Sequence, residues 1–227
     1  AYEISACRVG SEMCIRDRPI TMLAENRRLQ IPVMTGSTTN EHFNVIRAKT
    51  LEEFERNARI LYGEYADEFL ELCDFKCGDL EKILASVKVS GSPFGARLLT
   101  MRANDAGLPS WLYVFDPEIP GEDHPGAFHS SDLWFVFENL QKCWRPFRGK
   151  HYDLARQVCN YWTNFAKTGD PNGLDDDGKP MPRWEPFTED FSQPMVFEDT
   201  AHMGDRELPP VIKRMYELAA DKLWRKQ

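Results

Sequence analysis

Apolar positions along the chain follow two spacings, and each spacing predicts a different kind of element. Short runs of consecutive apolar residues bounded by glycine, proline or hydroxyl side chains predict buried strands. These runs are Ile31–Gly36, Trp111–Phe115 and Pro194–Glu198. Apolar residues at every third or fourth position predict helices. The helical segments are residues 51–62, Tyr65–Cys73, Asp79–Val89, Phe94–Ala106, Tyr152–Lys167 and Pro209–Arg225.

The order of these elements predicts an α/β fold with a mainly parallel sheet flanked by helices. Helices separate the strands along the chain, and Trp111–Phe115 is apolar on both faces, as expected for a sheet covered on both sides. At the start of the first helix, Thr50 and Glu53 have the spacing of a capping box, and Gly63 marks its end. Three strands are few for so many helices, so we expect the remaining strands upstream.

Composition narrows the classes of protein to which the chain can belong. Its 227 residues are 42% hydrophobic and 12% aromatic, as in a packed domain or part of a larger one. The formal net charge of −8 argues against a nucleic-acid partner, because phosphate binding needs a basic face. No apolar run approaches the roughly 18–20 residues of a membrane-spanning helix. We therefore expect neither nucleic acid nor membrane as a partner, and the oligomeric state stays open.

The six cysteines predict ordinary thiols. Only Cys73 and Cys77 lie close together in the body of the chain, and three residues separate them. That gap differs from the C-x-x-C spacing of redox motifs and zinc knuckles. We expect part-buried thiols, and a disulfide between these two would require a helix end.

Residues 1–18 do not read as part of a folded domain. The segment has no apolar periodicity, and it lacks the apolar region and basic start of a signal peptide. Its end, GSEMCIRDR, resembles a translated sequencing adapter. We interpret residues 1–18 as a non-native extension, with a native arm as the alternative, and assign the domain to residues 19–227. On this interpretation the true N-terminus was lost by truncation.

Removing residues 1–18 should leave the melting temperature unchanged within error, because a foreign segment has no surface adapted to pack against the domain. Limited proteolysis should cut readily near Arg16 or Arg18. The measurement compares thermal unfolding of the full chain with that of a chain beginning at Pro19. A loss of several degrees on trimming would identify the segment as native structure.

The most informative motif is a histidine in a loop with an apolar anchor behind it. His129 closely follows Gly126 and precedes Asp132 by three residues, and an aromatic and aliphatic run, Leu133–Phe137, comes next. A general base needs a positioned imidazole with one nitrogen on a carboxylate and the other facing the nucleophile. We expect His129 to be that base and Asp132 to orient its loop. A structural or surface histidine is the alternative.

Glu41 is the candidate partner of this histidine. It follows the predicted strand Ile31–Gly36 through a hydroxyl-rich loop, and sites in open α/β sheets gather at strand ends. Acid first and histidine second is the order of two triad residues in α/β-hydrolases, whose serine comes earlier. An exposed loop glutamate is the alternative. We expect the other four histidines to be exposed to solvent: His42, His124, His151 and His202.

The sequence supplies no recognisable nucleophile or metal motif. None of the 14 glycines is followed by x-Ser-x-Gly, and Gly91–Gly95 has proline where the serine belongs. It also contains no HGGG-type oxyanion run and no phosphate-binding glycine loop. Asp175–Gly178 lacks the alternating ligands and closing glutamate of a calcium loop, so we expect a solvated turn there.

Four segments together resemble the C-terminal part of a type B carboxylesterase, the family of para-nitrobenzyl esterases and cholinesterases. They cover nearly everything from Pro19 onward. The segments are Ile31–Glu41, Phe94–Asp116, Gly126–Phe137 and an ending composed of Asn164–Asn172, Trp184–Phe187 and Met195–Phe197. The resemblance implies the C-terminal part of an α/β-hydrolase fold with an incomplete sheet, whose serine elbow and oxyanion loop lie upstream of this sequence.

The same resemblance implies an ester hydrolase in which Glu41 is the triad acid and His129 the base. Asp132 stands where glutamate is commoner in the family, and we expect Phe128 and Trp134 to border the substrate pocket. A small ester is the implied substrate, and neither a metal nor an organic cofactor is implied. The alternative is a non-catalytic binding or adhesion domain of the same fold, as in neuroligin-like relatives. Retention of both triad residues favours the enzyme.

Overall fold

The computed structural model describes residues 25–27, 30–44, 46–90, 93–188, 193–204, 210, 211, 213, 214 and 217. The strands are β1 (Val33–Thr38), β2 (His42–Asn44), β3 (Lys88–Ser90), β4 (Ser110–Phe115), β5 (Met195–Phe197) and β6 (Ala201–Met203). The α-helices are α1 (Leu51–Tyr62), α2 (Ala66–Leu72), α3 (Leu80–Ser86), α4 (Pro93–Asp105), α5 (Leu133–Val136) and α6 (Gly149–Thr168). Short 3-10 helices lie at Gly63–Tyr65, Phe75–Cys77 and Leu140–Lys142. Residues 1–18 lie outside the described residues, so their interpretation as an extension stays a prediction.

The main sheet has the strand order β1-β4-β5-β6. Strand β4 pairs in parallel with both β1 and β5, and β6 pairs antiparallel with β5. Strands β2 and β3 form a separate antiparallel pair. The α/β class and the mainly parallel sheet predicted from the sequence are therefore confirmed.

A close approach between β1 and β4 explains the glycine in the middle of β1. Gly36 is the register partner of Tyr113 on β4. A Cβ atom at position 36 would overlap the carbonyl oxygen and the ring of Tyr113. Only glycine leaves room for this tyrosine, whose ring packs edge-on against Trp162 and Trp184.

Gly36→Ala should destabilise the protein by about 3 kcal/mol, because the added methyl group forces backbone or ring to move in a packed sheet. Thermal or urea unfolding measures the loss. Gly149→Ala is the matched control, since nothing lies within 4 Å of a Cβ at that position at the start of α6. Equal stability of the two variants would show that the β1–β4 approach is looser than described.

Helix α1 begins and ends at the predicted residues, with one difference in its cap. The Thr50 hydroxyl accepts a hydrogen bond from the Glu53 amide at 3.2 Å, and Gly63, with φ 56°, ends the helix. Glu53 does not return the bond to Thr50. Its carboxylate accepts instead from the amide of Lys49 at 2.8 Å, one residue before the cap.

Several predicted boundaries are wrong, and helix α6 begins at Gly149, three residues before the predicted Tyr152. The helix predicted over Asp79–Val89 ends at Ser86, and the residues after it form β3, which pairs with β2. The first strand begins at Val33 and continues to Thr38, two residues later than predicted at both ends. For the helix predicted over Pro209–Arg225, residues 210, 211, 213, 214 and 217 are helical, and the other positions lie outside the described residues.

Two large apolar cores form in the described part of the chain, beside a third, smaller cluster around Leu112. One joins the sheet to α6 and contains the fully buried Trp184, Tyr161 and Phe197. The other joins α1, α2 and α3 around Phe54, whose ring stacks on Phe69. Burying one such side chain contributes roughly 1.5–3 kcal/mol. Phe128, before the candidate histidine, and Phe135, after it, also pack in or against this first core. The core therefore helps to position the histidine loop.

The four thiols in the described residues are free, as predicted, but the expectation of part-buried thiols is wrong for Cys73 and Cys77. Cys73 is buried, Cys77 is exposed, Cys143 and Cys159 are half-buried, and all four are free. Burial raises the pKa of the Cys73 thiol to about 11. In the described part of the chain, none of the helices is both long and apolar enough to cross a bilayer.

Candidate functional site

The site lies where the carboxyl ends of β1 and β4 meet. The amide of Thr39 donates to the carbonyl of Phe115 at 3.1 Å, which extends the parallel pairing one residue beyond β1. The Thr39 hydroxyl then donates to the carboxylate of Asp116, directly after β4. These contacts fix the direction in which the chain leaves β1, and Glu41 follows two residues later.

Asn40 connects this acidic loop to the loop that carries the histidine. Its backbone amide donates to the carbonyl of Ala127 at 2.9 Å, and its side-chain amide donates to the carbonyl of Pro125. The contact is close, because a Cβ at Gly126, whose φ is 60°, would lie 3.0 Å from the Asn40 amide nitrogen. The residue directly before Glu41 thus holds the two loops together.

His129 lies in a tight turn that leads directly into α5. The amide of Ser131 donates to the carbonyl of Phe128 at 3.0 Å, and Ser130 takes a left-handed conformation with φ 65°. Phe135 on α5 is fully buried and packs edge-on against Phe115 at 5.1 Å between ring centroids. The predicted apolar run after the histidine does anchor this loop in the core.

These two loops place the candidate acid and base in direct contact. His129 Nδ1 hydrogen bonds to Glu41 Oε1 across 88 residues of sequence. The Glu41 side chain is 14% exposed, whereas that of His129 is 83% exposed. A neutral ring that donates from Nδ1 leaves Nε2 as a proton acceptor on its accessible side. The arrangement can therefore hold one imidazole tautomer and accept a proton at Nε2.

Asp132 lies half-buried beside this pair. Its burial, together with the negative charge of Glu41, raises the pKa of the Asp132 carboxyl, and His129 opposes the shift. Burial also raises the pKa of the Tyr113 hydroxyl, with smaller contributions from the charges of Asp132 and Glu41 and from a hydrogen bond to Asp132. Tyr113 was not singled out from the sequence. The sequence did contain a signal for it, namely a tyrosine within an apolar strand. A buried tyrosine hydroxyl needs a hydrogen-bond partner, so a polar group nearby could have been expected.

Asp132→Asn should gain stability relative to the unsubstituted protein as pH rises. A carboxyl whose pKa is raised by folding stabilises the fold below its unfolded pKa, about 4, and loses that contribution as pH rises through the folded pKa. Asparagine cannot ionise and keeps the neutral form throughout. Urea unfolding between about pH 4 and pH 8 measures the difference. Asp177→Asn, in an exposed turn, is the control, and a difference independent of pH would contradict the burial of an ionisable Asp132.

The two predicted pocket residues lie against each other. The rings of Phe128 and Trp134 meet edge-on at 5.7 Å, and Trp134 packs in turn against Phe147 at 5.8 Å. Both are half-buried against the main core. Phe128 thereby supports the backbone next to His129, and the role of the pair in bordering a substrate pocket stays a prediction.

The prediction that all other histidines are exposed is wrong for His151. His151 is buried at the start of α6, where Nδ1 accepts from the amide of Arg148 at 2.9 Å and Nε2 lies 3.2 Å from the carbonyl of Glu118. It caps the helix and joins it to the loop before His129. His124 and His202 are exposed as predicted, and the side chain of His42 lies outside the described residues. Across the described part of the chain, acidic, cysteine and histidine side chains form no cluster of three that could hold a metal ion.

Comparison with known proteins identifies the family. The profile of the carboxylesterase family matches residues 90–211, more than half of the chain. The bile salt-activated lipase of Homo sapiens is 32% identical over 119 residues, covering 51% of this chain and 15% of the lipase. The acetylcholinesterase of Gallus gallus is 32% identical over 98 residues, covering 43% of this chain and 11% of that protein. The matched part thus spans less than a fifth of either curated relative.

Solved structures show the same architecture. A thermophilic PNB esterase has a TM-score of 0.62 at 24% identity, and a second PNB esterase has 0.60 at 23%. Each comparison covers 88% of this chain and 41% of the esterase. At such identities the likeness shows the fold alone, which confirms the predicted α/β-hydrolase architecture. Because the family profile extends over more than half of the chain and includes the His129 loop, the chain belongs to the carboxylesterase family.

Proposed function

We propose that residues 19–227 are the C-terminal part of the catalytic domain of a serine carboxylesterase. In this proposal the chain supplies two members of a Ser-His-Glu triad, with Glu41 as the acid and His129 as the base. The serine and the oxyanion loop belong to an upstream portion. The hydrogen bond from His129 Nδ1 to Glu41 Oε1 at the carboxyl end of the sheet carries the proposal.

The proposed reaction uses the free nitrogen of His129. The serine hydroxyl attacks the ester carbonyl while Nε2 accepts its proton, and the resulting imidazolium gives that proton to the departing alcohol. Glu41 keeps the ring in the required tautomer and stabilises the imidazolium. Water then attacks the acyl-enzyme by the same route and releases the acid. These proposed steps use neither a metal nor an organic cofactor.

The surroundings of the pair support these roles. Glu41 is largely buried whereas the ring is 83% exposed, so an upstream portion that covered the ring would reduce the solvent screening of their attraction. Asp132 and Tyr113 lie close enough to Glu41 to respond to its charge, and Asp132 begins the short helix that anchors the histidine turn. We assign Asp132 to the orientation of this loop, and Phe128 and Trp134 to the border of the substrate pocket.

A small carboxylic ester is the proposed substrate class. The similar proteins include a lipase, an acetylcholinesterase and PNB esterases, whose names all refer to the hydrolysis of ester bonds. The aromatic rings beside His129 would offer apolar contacts to such a substrate.

The sequence of a full-length clone tests the proposal most directly. A G-x-S-x-G motif on a strand-to-helix turn upstream of residue 19 is expected, together with a glycine-rich oxyanion loop. Replacement of that serine by alanine should abolish ester hydrolysis while leaving the fold intact. A full-length protein in which another residue stands in place of the serine would support the non-catalytic binding domain of the same fold instead.

A further inference from the structure

Arg145 is a nearly buried cation close to the histidine loop. It follows the 3-10 helix Leu140–Lys142, and its side chain is only 7% exposed. Removing a guanidinium from water is costly unless partners replace its hydration. Each terminal nitrogen donates to the carboxylate of Asp123, at 3.0 and 2.9 Å, and Nη1 also donates to the carbonyl of Pro120 at 3.0 Å.

The chain approaches this guanidinium at a glycine. A Cβ at Gly121 would lie 2.5 Å from Nη1 of Arg145 and would overlap the carboxylate of Asp123. A larger residue here would have to displace the ends of these two side chains. The segment from Pro120 to Asp123 therefore lies directly against the guanidinium, and it is the segment that leads into the histidine loop.

The same guanidinium also contacts the other end of that loop. Its central carbon lies 5.3 Å from the ring centroid of Phe128, the residue before His129. A planar cation at this distance from an aromatic face is attracted by the ring quadrupole. Phe128 is supported from another direction by Trp134. The Arg145 side chain thus contacts the loop at two places: at Pro120 and Asp123, before Gly126, and at Phe128, immediately before the histidine.

Asn40 holds the middle of the loop through the carbonyls of Pro125 and Ala127. Arg145 holds the flanking positions. Asn40 and Arg145 together contact the loop at Pro120, Asp123, Pro125, Ala127 and Phe128. The imidazole of His129, in contrast, is 83% exposed and has Glu41 as its hydrogen-bond partner. An exposed ring contributes little to its own placement, so its position depends on the backbone that carries it.

We infer that Arg145 is a positioning residue, which holds the backbone of the His129 loop through Pro120, Asp123 and Phe128 and thereby keeps Nδ1 on the carboxylate of Glu41. The inference rests on the proposed function. It assigns to Arg145 no contact with substrate. Lysine could keep the charge but not the two-pronged contact with Asp123 or the planar contact with Phe128.

The test uses the full-length enzyme and two readouts, steady-state kinetics on a short-chain aryl ester and the low-field proton resonance of the imidazole N–H bonded to Glu41. Arg145→Met should lower kcat by about 10- to 100-fold with KM changed less than about twofold, because misplacement of a catalytic group by about 1 Å has effects of this size. The low-field resonance should weaken or disappear. Arg145→Lys should fall between the two enzymes in both readouts.

Matched variants separate positioning from general destabilisation. Arg59→Met removes an exposed arginine that also bonds two carboxylates at 2.9 Å, and it should leave both readouts unchanged. Asp123→Asn loosens the same loop without removing the arginine, so it keeps the test open if Arg145→Met does not fold. In Arg145→Met, Arg145→Lys and Asp123→Asn, the intensity of the low-field resonance should fall as kcat falls.

The outcomes distinguish this inference from the proposed function. Glu41→Gln should abolish the low-field resonance of the unsubstituted enzyme, and persistence of the resonance would overturn the acid–base assignment itself. If Glu41→Gln removes the resonance but folded Arg145→Met and Asp123→Asn both retain it at full intensity, Arg145 has a structural role only and the positioning inference is wrong.

Discussion

Replacing His129 by alanine in the full-length enzyme should lower kcat by about 10⁶-fold, and Glu41→Gln should lower it by about 10⁴-fold. The difference follows from the two roles. Without His129 no group accepts the serine proton, so the nucleophile remains a neutral hydroxyl. Without the Glu41 charge the base is present, but its tautomer and its imidazolium are no longer stabilised. KM should change little in either variant, since neither side chain is assigned to substrate binding.

Initial rates on a short-chain aryl ester across substrate concentrations provide the measurement. His202→Ala and Glu185→Gln are suitable controls, because an exposed histidine and an ion-paired surface glutamate with no contact to Glu41 or His129 should tolerate these changes. Retention of a tenth of the original turnover by His129→Ala would contradict the triad assignment. A Glu41→Gln variant as active as the controls would reassign the acid while leaving the base in place.

The elements that could be predicted from the sequence have strong local signals. Thr50 and Gly63 bound α1 because a hydroxyl cap and a left-handed glycine act within a few residues. The Gly169 stop after α6 works in the same way, with φ 77°. The approach of Glu41 to His129 was predictable for a different reason, since parallel strands bring their carboxyl ends to one edge and loops after them must meet there. Their catalytic roles stay predictions.

The missed features depend on contacts between distant parts of the chain. Strands β2, β3 and β6 are three residues long, and Ala201–Met203 carries no β-branched residue that would predict a strand. His151 is polar by type, and it is buried because the carbonyl of Glu118 satisfies its ring from 33 residues away. The spacing of apolar and polar residues along the chain does not show which short segments pair as strands. It also does not show which distant group will bond to a buried polar ring.

The chain produced alone should hydrolyse no ester and should not react with a serine-directed fluorophosphonate. The proposed triad lacks its serine here, and no G-x-S-x-G sequence occurs among the 227 residues. The oxyanion loop is also missing, and such a group typically contributes about 3–4 kcal/mol to transition-state stabilisation.

The same chain should be poorly soluble and tend to oligomerise. Strand β1 lies at the end of the sheet order, and within the described residues no strand pairs with its outer edge. An unpaired strand edge is a template for association with another chain. Size-exclusion chromatography of the purified chain measures this tendency, and a stable monomer at high concentration would show that the edge is protected in another way.

Supplying the upstream portion should restore folding and activity together, because one segment would both pair with β1 and carry the serine. Co-expression of this chain with the N-terminal part of its full-length clone, followed by fluorophosphonate labelling, tests that expectation. Label should appear only on the N-terminal part, at its elbow serine, and ester hydrolysis should appear with it. The same co-expression with the serine replaced by alanine should recover solubility without label. Stoichiometric labelling of a serine in the isolated 227-residue chain, accompanied by turnover, would overturn the assignment of the nucleophile to an upstream portion.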